Sequence, residues 1–176
     1  MVLAGVARGV DQFVFDVVQS VRAPWLDVVG SLVSLLGQTG ITAAVALGIA
    51  VARARHGRRD AIVPLFILAV FVIEAGLKLL IPEAPPPHDR SRGADFTIIR
   101  SPFTNSFPSG HVARFAFLAG ILDRMPRWAK GAGIAVMAVT RIYIADHWLS
   151  GTIGGAILGT AVAVIARQVA RGTGGR

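Results

Sequence analysis

Long apolar stretches separated by short polar segments dominate the chain. Five of them are apolar on all sides rather than on one face, a pattern typical of membrane-spanning helices. They cover residues 40–54, 61–81, 111–125, 128–144 and 148–169. Several are shorter than the roughly 20 residues that cross a bilayer core of about 30 Å, so we expect some tilt. The pattern predicts an all-α integral membrane helical bundle.

The first 37 residues follow a different pattern. Apolar side chains recur at helical spacing, opposite Asp11 and Asp16, at Val10, Phe13, Val14, Val17, Val18 and Val21. This predicts an amphipathic helix on the membrane interface or against the bundle. Pro24 interrupts it, and residues 25–36 form a second apolar helix that is either short or a tilted sixth span. The bundle is therefore predicted to have five to six transmembrane helices.

These patterns divide the chain into three parts. Residues 1–37 hold the N-terminal helices, residues 38–170 the membrane core, and residues 171–176 a short cytoplasmic tail. The opening residues lack the charged start, apolar centre and small-residue cleavage site of a signal peptide. We therefore expect an integral protein that is not cleaved.

The basic residues predict the orientation. The loop 53–59 carries four arginines, and short cytoplasmic loops are rich in positive charge. Arg124, Arg127 and Lys130 follow two crossings later, so they fall on the same side. The loop 82–108 and the turn 141–147 then face outwards, and we expect a bacterial plasma membrane protein whose functional face is external.

Composition adds two exclusions. A formal charge of +8 can indicate nucleic-acid binding. In a chain with 53% hydrophobic residues, the positive charge of cytoplasmic loops in membrane proteins is a better explanation. We therefore expect membrane lipids and no nucleic acid as partners. The chain has no cysteine, which excludes disulfides and thiolate metal sites.

The outer loop 82–108 is unexpectedly basic for that side. It contains His88, Asp89, Arg90, Arg92 and Arg100. Either these charges are simply solvated, or they attract an anionic substrate.

Three clusters of polar residues converge on the outer face. In the first, Glu74 and Lys78 are spaced i, i+4 at the end of the second span. The two either neutralise each other, or Lys78 contacts a phosphate, since ionisable residues inside membranes are by default functional candidates.

The second cluster is the sequence Pro108-Ser109-Gly110-His111 at the start of an apolar run. Pro108 suits a first helical turn, Ser109 can cap the helix, and Gly110 leaves room for a ligand beside the backbone. The N–H groups and dipole of a helix start favour anions, and a histidine there can donate a proton. The alternative is an ordinary helix start with an interfacial histidine.

The third cluster lies between the fourth and fifth spans. Arg141 ends one helix and His147 begins the next, so both can point into one outer pocket. An arginine at a membrane edge is often only an anchor, but here it faces a second histidine across the turn.

Together these residues resemble the three-part signature of the type 2 phosphatidic acid phosphatases, a family of multi-span lipid phosphatases. Lys78, then Pro108 to His111, then Arg141 with five residues before His147 match it in order and spacing over about residues 25–170.

The resemblance implies a mechanism. His147 is the nucleophile that attacks phosphorus to give a phosphohistidine, and His111 protonates the leaving oxygen and then helps to activate water. Lys78, Arg141 and the amides of Ser109 and Gly110 hold the phosphoryl oxygens. No metal and no other cofactor is implied.

The chain departs from that family at two positions. Where the first motif has an arginine, seven residues after Lys78, this chain has Pro85, and Arg90 is our candidate replacement, with Arg114 as a weaker one. Where the third motif has an acid, four residues after the nucleophile, this chain has Gly151. Asp146 and Ser150 are candidates to orient the ring of His147.

Gly151 also begins a stripe with Gly155 and Gly159. Such a stripe lets two membrane helices approach closely, either within one chain or between two chains of a homodimer.

The sequence thus predicts a lipid phosphatase that hydrolyses a polyprenyl or glycerolipid phosphate or diphosphate at the outer membrane face. The alternative is a degenerate member of the family that binds or transports a lipid phosphate without efficient hydrolysis.

Overall fold

The computed structural model describes residues 2–91 and 104–173, with the side chains of residues 2–7, His88 and Thr173 left aside. Over these residues the chain forms seven α-helices: α1 Val2–Ser20, α2 Pro24–Leu35, α3 Thr39–Arg55, α4 Ile67–Leu80, α5 Gly110–Ile121, α6 Arg127–Tyr143 and α7 Leu149–Thr173. A 3-10 turn, Val63–Phe66, leads into α4, and another, His88–Arg90, lies in the loop after it. No strand occurs in these two ranges, so the predicted all-α class is confirmed.

Two segments of the described chain are long and apolar enough to cross a membrane alone, Val63–Leu80 and Leu149–Gly172. Helices α2 and α3 pass the same test only as a pair that is bent by 45° at the break between them. By length and composition the described residues thus contain two to three candidate spans, where five to six were predicted. Residues 25–36 and 40–54 of the sequence pattern correspond to these two helices, which pass the test together and not separately.

Helix α5 accounts for part of that difference. It has 12 residues, which at 1.5 Å per residue is about 18 Å, well short of a bilayer core. The predicted span 111–125 therefore ends early, because the chain leaves the helix at Leu122 and restarts after Pro126. Nearly all of α5 is buried, and α3, α4, α6 and α7 all contact it, so it is the central helix of the bundle.

The glycine stripe lies where α7 meets α5. A Cβ atom at Gly155 or Gly159 would overlap the backbone carbonyl oxygens of Ser109 and Ala113. The stripe is therefore filled by α5 of the same chain, as one of the two alternatives proposed. A homodimer would have to use another surface.

Helix α1 buries a stripe of mixed polarity against the bundle. Asp11, Phe15 and Gln19, spaced by four, are buried, while Phe13 and Val17 are exposed. Gln19 donates a hydrogen bond of 2.7 Å to the Tyr143 carbonyl. Of the two predicted polar positions, Asp11 therefore faces the protein and Asp16 is exposed, while Val14 and Val18 pack against a buried cluster that includes Phe15.

Candidate functional site

His147 lies in the tight turn that joins α6 to α7. Ala145 adopts a left-handed conformation with φ 59°, which reverses the chain after α6. The N–H groups of Asp146 and His147 donate to the carbonyl of Arg141 at 3.1 and 3.3 Å. This turn places the buried imidazole of His147 just before the first residue of α7.

The hydrogen bonds of His147 set its tautomer. Its Nδ1 lies 2.6 Å from the Ser106 carbonyl oxygen and 3.2 Å from the Ser106 hydroxyl. A carbonyl oxygen only accepts, so Nδ1 carries the proton and Nε2 presents a lone pair. Burial, with the nearby charges of Arg141 and Lys78, lowers the pKa of His147 well below its ordinary value of 6.5. The ring is therefore neutral and nucleophilic at neutral pH.

Lys78 is buried at the end of α4. Its Nζ donates to the Asn105 carbonyl at 2.6 Å, and the Asn105 side chain donates to the Lys78 carbonyl at 2.6 Å. The proposed internal pair with Glu74 does not form, since the only ion pair of Glu74 among the described residues is with Arg114. Lys78 is thus a buried ammonium held by a neutral oxygen, which leaves its charge available to an anion.

Arg141 is fully enclosed at the end of α6. One terminal nitrogen donates to the Ser34 hydroxyl on α2 and the other binds the carboxylate of Asp146. Its Nε is buried without a hydrogen-bond partner among the described residues. Asp146, proposed as a candidate to orient His147, is therefore committed to Arg141 instead.

Arg114, one turn into α5, is the third buried cation. Its Nη1 lies 2.6 Å from the Glu74 carboxylate, and its Nε donates to the Gly37 carbonyl at 2.9 Å. The guanidinium also lies 5.6 Å from the centre of the Phe71 ring. Its positive charge acts on His147 together with those of Arg141 and Lys78.

Ser109 and Gly110 form the start of α5, but not quite as expected. The Ser109 N–H donates to the Gly151 carbonyl at 2.9 Å, so this amide is not free for a phosphate. The Ser109 hydroxyl is buried, caps no backbone group, and has no partner among the described residues. The hydroxyl of Ser109, and not its amide, is therefore the donor of this residue that is left without a partner in the described part of the chain.

Gly110 has a packing role that the sequence did not reveal. The space that a Cβ would take is occupied by the Glu74 carboxylate and the Arg114 guanidinium. The glycine at this position thus admits the ion pair that joins α4 to α5.

His111 faces the break between α2 and α3. A Cβ on Gly37 would lie 2.7 Å from the Cβ of His111, so the glycine in this break makes room for the histidine. Arg141, Arg114, His147 and Lys78 lie close enough for their charges to act on the His111 ring. The two predicted histidines and the two predicted cations are therefore brought into one cluster.

A second layer of carboxylates lies behind His147. The Ser106 N–H donates to the backbone carbonyl of Glu83 at 2.8 Å, and Glu83 lies two positions after the cap of α4. Glu83 Oε1 lies 3.3 Å from the Ser150 hydroxyl, while Glu83 Oε2 is buried without a hydrogen-bond partner among the described residues. Burial and the neighbouring charge of Asp11 raise the pKa of Glu83.

Glu83 occupies the neighbourhood of the missing acid. A Cβ on Gly151 would lie 3.5 Å from Glu83 Oε2 and 3.0 Å from the Ser106 carbonyl oxygen. Ser150, our other candidate for orienting His147, instead donates from its hydroxyl to Asp11 at 2.7 Å and accepts no contact from the ring. Ser106 and Glu83 were not identified from the sequence as neighbours of His147. The only signal for Ser106 was its position two residues before Pro108, at the start of the second cluster.

Arg90 is not brought to this cluster. It lies exposed in the second 3-10 turn, and its carbonyl accepts a hydrogen bond of 3.3 Å from Arg22. Arg114 is the additional arginine beside the histidines. Arg92 and Arg100 of the outer loop lie outside the described residues.

No group of three or more potential metal-ligating side chains occurs within residues 2–91 and 104–173. The described site is thus built from two histidines, three buried cations and hydroxyl groups. Such a set can bind a phosphate group and transfer it to an imidazole nitrogen.

Comparisons with known proteins agree with this geometry. A family model described as the PAP2 superfamily matches residues 61–173, which include α4 to α7 and every cluster residue from Glu74 to His147. The chain is similar in structure to a transmembrane PAP2 type phosphatidylglycerolphosphate phosphatase from Bacillus subtilis, with 18% identity, a TM-score of 0.78, and coverage of 95% of this chain and 87% of that one. It is also similar to Aquifex aeolicus LpxE, with 21% identity, a TM-score of 0.66, and coverage of 88% and 92%. A search of curated proteins finds no match to the sequence.

Proposed function

The chain belongs to the PAP2 superfamily, and from that premise we propose that it is a membrane phosphatase acting on a polyprenyl or glycerolipid phosphate or diphosphate. One observation carries the proposal: a neutral histidine with a free Nε2 lies beside three buried cations, only two of which have a carboxylate partner among the described residues. Buried positive charge of this kind is stabilised by an anion, and a phosphate provides one.

The first step is transfer of the phosphoryl group to His147. Nε2 attacks phosphorus and the bond from phosphorus to the lipid or pyrophosphate oxygen breaks. His111, which takes up a proton when the bound phosphate offsets the charges of the neighbouring cations, gives that proton to the leaving oxygen. The Nδ1 proton stays on His147, where the Ser106 carbonyl stabilises the positive ring.

The second step returns the enzyme to its starting state. His111, now neutral, takes a proton from water as the water oxygen attacks phosphorus and the bond from phosphorus to Nε2 breaks. Inorganic phosphate leaves, and His111 has regained its proton. Lys78, Arg141 and the Ser109 hydroxyl neutralise the charge on the phosphoryl oxygens during both steps.

Glu83 serves as the carboxylate behind the nucleophile. Its backbone carbonyl accepts a hydrogen bond of 2.8 Å from the Ser106 N–H, and the Ser106 hydroxyl lies 3.2 Å from His147 Nδ1, so the charge of the Glu83 carboxylate acts on the ring from behind Ser106. A glutamate at the exit of α4 thereby takes the part that an acid at position 151 plays in the resembling family.

The test is release of phosphate by the purified full chain from a panel of polyprenyl and glycerolipid mono- and diphosphates. We expect turnover of at least one substrate, and a loss of about 10³-fold or more in His147→Ala, because the nucleophile is removed. Acid quenching during turnover should trap a phosphohistidine on the wild type but not on His147→Ala.

If the wild type shows no turnover above the His147→Ala background on any substrate, the proposal that the chain is an enzyme is wrong. If the chain then still binds lipid phosphates, and Lys78→Gln weakens that binding, it is the degenerate binder or transporter. Gly151→Asp distinguishes the two further, since a gain of turnover there would mean that only the acid is lacking.

A further inference from the structure

A separate polar cavity lies at the opposite end of the bundle from His147. Its volume is about 330 Å³, and it lies where the C-terminal ends of α3, α5 and α7 meet the loop before α4. The arginines that line it are Arg53, Arg58, Arg59, Arg167 and Arg171. Two carboxylates, Asp60 and Asp123, also line it.

Ion pairs give this cavity a defined shape. The Arg58 guanidinium binds both oxygens of Asp60 at 2.9 Å and reaches Asp123 at 3.2 Å. Arg167 on α7 binds the other oxygen of Asp123 at 2.8 Å. The buried Arg53 joins Asp60 at 3.1 Å and donates to the Ile121 carbonyl at 2.8 Å, which ties the end of α3 to the end of α5.

The two carboxylates do not balance the arginines. Five guanidinium groups against two carboxylates leave a formal charge of +3 around one cavity, counting the lining residues alone. Lys130 and Arg127 on α6 add to it, since Lys130 feels the charges of both Arg167 and Arg127. Because α3, α5 and α7 all end here, their dipoles offset part of this charge.

We propose that this cavity is a second anion site, which binds the phosphate group of an anionic phospholipid from the leaflet opposite the catalytic face. Guanidinium groups bind phosphate oxygens in pairs, and basic pockets between membrane helices on the cytoplasmic side take up anionic headgroups. The apolar Val63 lines the cavity, and the neighbouring Ile62 and Leu65 are exposed, so acyl chains have an apolar surface beside the headgroup. Free phosphate offers the same chemistry without the chains.

The test measures thermal unfolding of the full chain in a neutral detergent. Phosphatidylserine, a phosphodiester, should raise the unfolding temperature more than phosphatidylcholine does, because a ligand of the folded state stabilises it. In Arg58→Gln/Arg171→Gln we expect the apparent affinity for phosphatidylserine to fall about 10-fold or more, since two positive charges leave the cavity.

Two controls locate the effect. Arg55→Gln/Arg124→Gln removes the same charge from exposed positions of the same face outside the cavity, and should bind as the wild type does. Lys78→Gln changes the catalytic end and should also bind normally. A fall in affinity of equal size in the control pair, or no preference for phosphatidylserine in the wild type, would overturn the proposal.

The second arm of the experiment measures thermal unfolding with inorganic phosphate in place of the phospholipid. Stabilisation by inorganic phosphate alone, lost in Arg58→Gln/Arg171→Gln and kept in Lys78→Gln, would support the anion site and identify free phosphate as its source. If the double variant does not fold, Arg171→Gln alone replaces it, because Arg171 is exposed near the end of α7 and Arg58 then keeps its ion pairs.

Discussion

At the scale of single residues, a backbone carbonyl orients His147, the nucleophile in our proposal. The hydrogen bond from His147 Nδ1 to the Ser106 carbonyl already selects the reactive tautomer. What a neutral carbonyl does not supply is negative charge to balance the imidazolium that forms on phosphoryl transfer. Glu83, whose backbone carbonyl accepts from the Ser106 N–H and whose Oε2 is buried, supplies that charge in our proposal.

The first prediction concerns Glu83→Gln. We expect kcat to fall about 10- to 100-fold with little change in KM, the range typical for outer partners of a functional histidine. Steady-state kinetics on the best substrate of the panel measures both constants. The matched control is Asp89→Asn, which removes an exposed carboxylate of the same loop and should leave kcat unchanged. Equal kinetics in Glu83→Gln and wild type would remove Glu83 from the mechanism.

The second prediction concerns pH. The nucleophile must be unprotonated, and its pKa in the folded protein lies below 6.5. We therefore expect the acid limb of kcat/KM, which reports protonation of His147, to lie below pH 6.5. Between 6.5 and the lower pKa the unfolded chain binds more protons than the folded one, so stability falls in the same window as pH decreases.

A pH series of kcat/KM, with unfolding measured in parallel, checks this. His56→Gln is the control, since His56 is exposed in the loop after α3 and should not move the acid limb. An acid limb centred at pH 7 or above would show that His147 is not held neutral by burial.

At the scale of elements, the approach of α7 to α5 positions the catalytic parts. The Ser109 N–H on α5 donates to the Gly151 carbonyl on α7, and Gly155 and Gly159 continue the contact along the helices. Since these glycines face backbone atoms, neither side can give way easily to a larger residue. The stripe therefore sets the distance between the start of α5, with His111, and the start of α7, with His147.

The third prediction follows from this contact. Gly159→Ala should lower the unfolding temperature by roughly 5 °C or more, because overpacking costs about 1–3 kcal/mol and its neighbour is backbone. Gly48→Ala in α3 is the matched control: nothing lies within 4 Å of its would-be Cβ, and alanine favours the helix. The unfolding temperatures of both variants are measured in detergent. Equal unfolding temperatures would contradict a close contact at Gly159.

At the scale of the whole molecule, the bundle has two chemically different ends. One end holds Lys78, His111 and His147, and the other holds the arginine-lined cavity. Apolar helix surface separates them, including the exposed side chains of α4 and α7. The positive-inside rule assigns the arginine end to the cytoplasm and the histidine end to the exterior.

The fourth prediction tests that orientation. Because the natural sequence has no cysteine, a single introduced one is the only site for a maleimide. A membrane-impermeant maleimide should label Asp89→Cys in intact cells, and Arg55→Cys only after permeabilisation. Both positions are exposed, and the unchanged chain serves as the unlabelled control. The reverse pattern would place the catalytic face in the cytoplasm.

Most of the helices could be predicted from the sequence, because apolar periodicity and proline positions act locally. Spans 128–144 and 148–169 differ from α6 and α7 by only a few residues at their ends. The number of spans stays a prediction, because an apolar run does not reveal whether a helix is long enough to cross or, like α5, is short and enclosed. The buried face of α1 could not be predicted either, since Gln19 and Asp11 find their hydrogen-bond partners on α6 and α7.

By itself, the sequence determined the helical class, the basic and apolar segments, and the order of Lys78, His111, Arg141 and His147 along the chain. Only the tertiary structure decided which residues pair with each other. Ser106 meets His147 across 41 residues and Arg114 meets Glu74 across 40, while Arg90 stays exposed. The physical reason is that such pairs depend on how helices cross and how closely they approach, which local patterns do not encode. A buried carboxylate or cation can then be stabilised by any partner that the packing brings within reach.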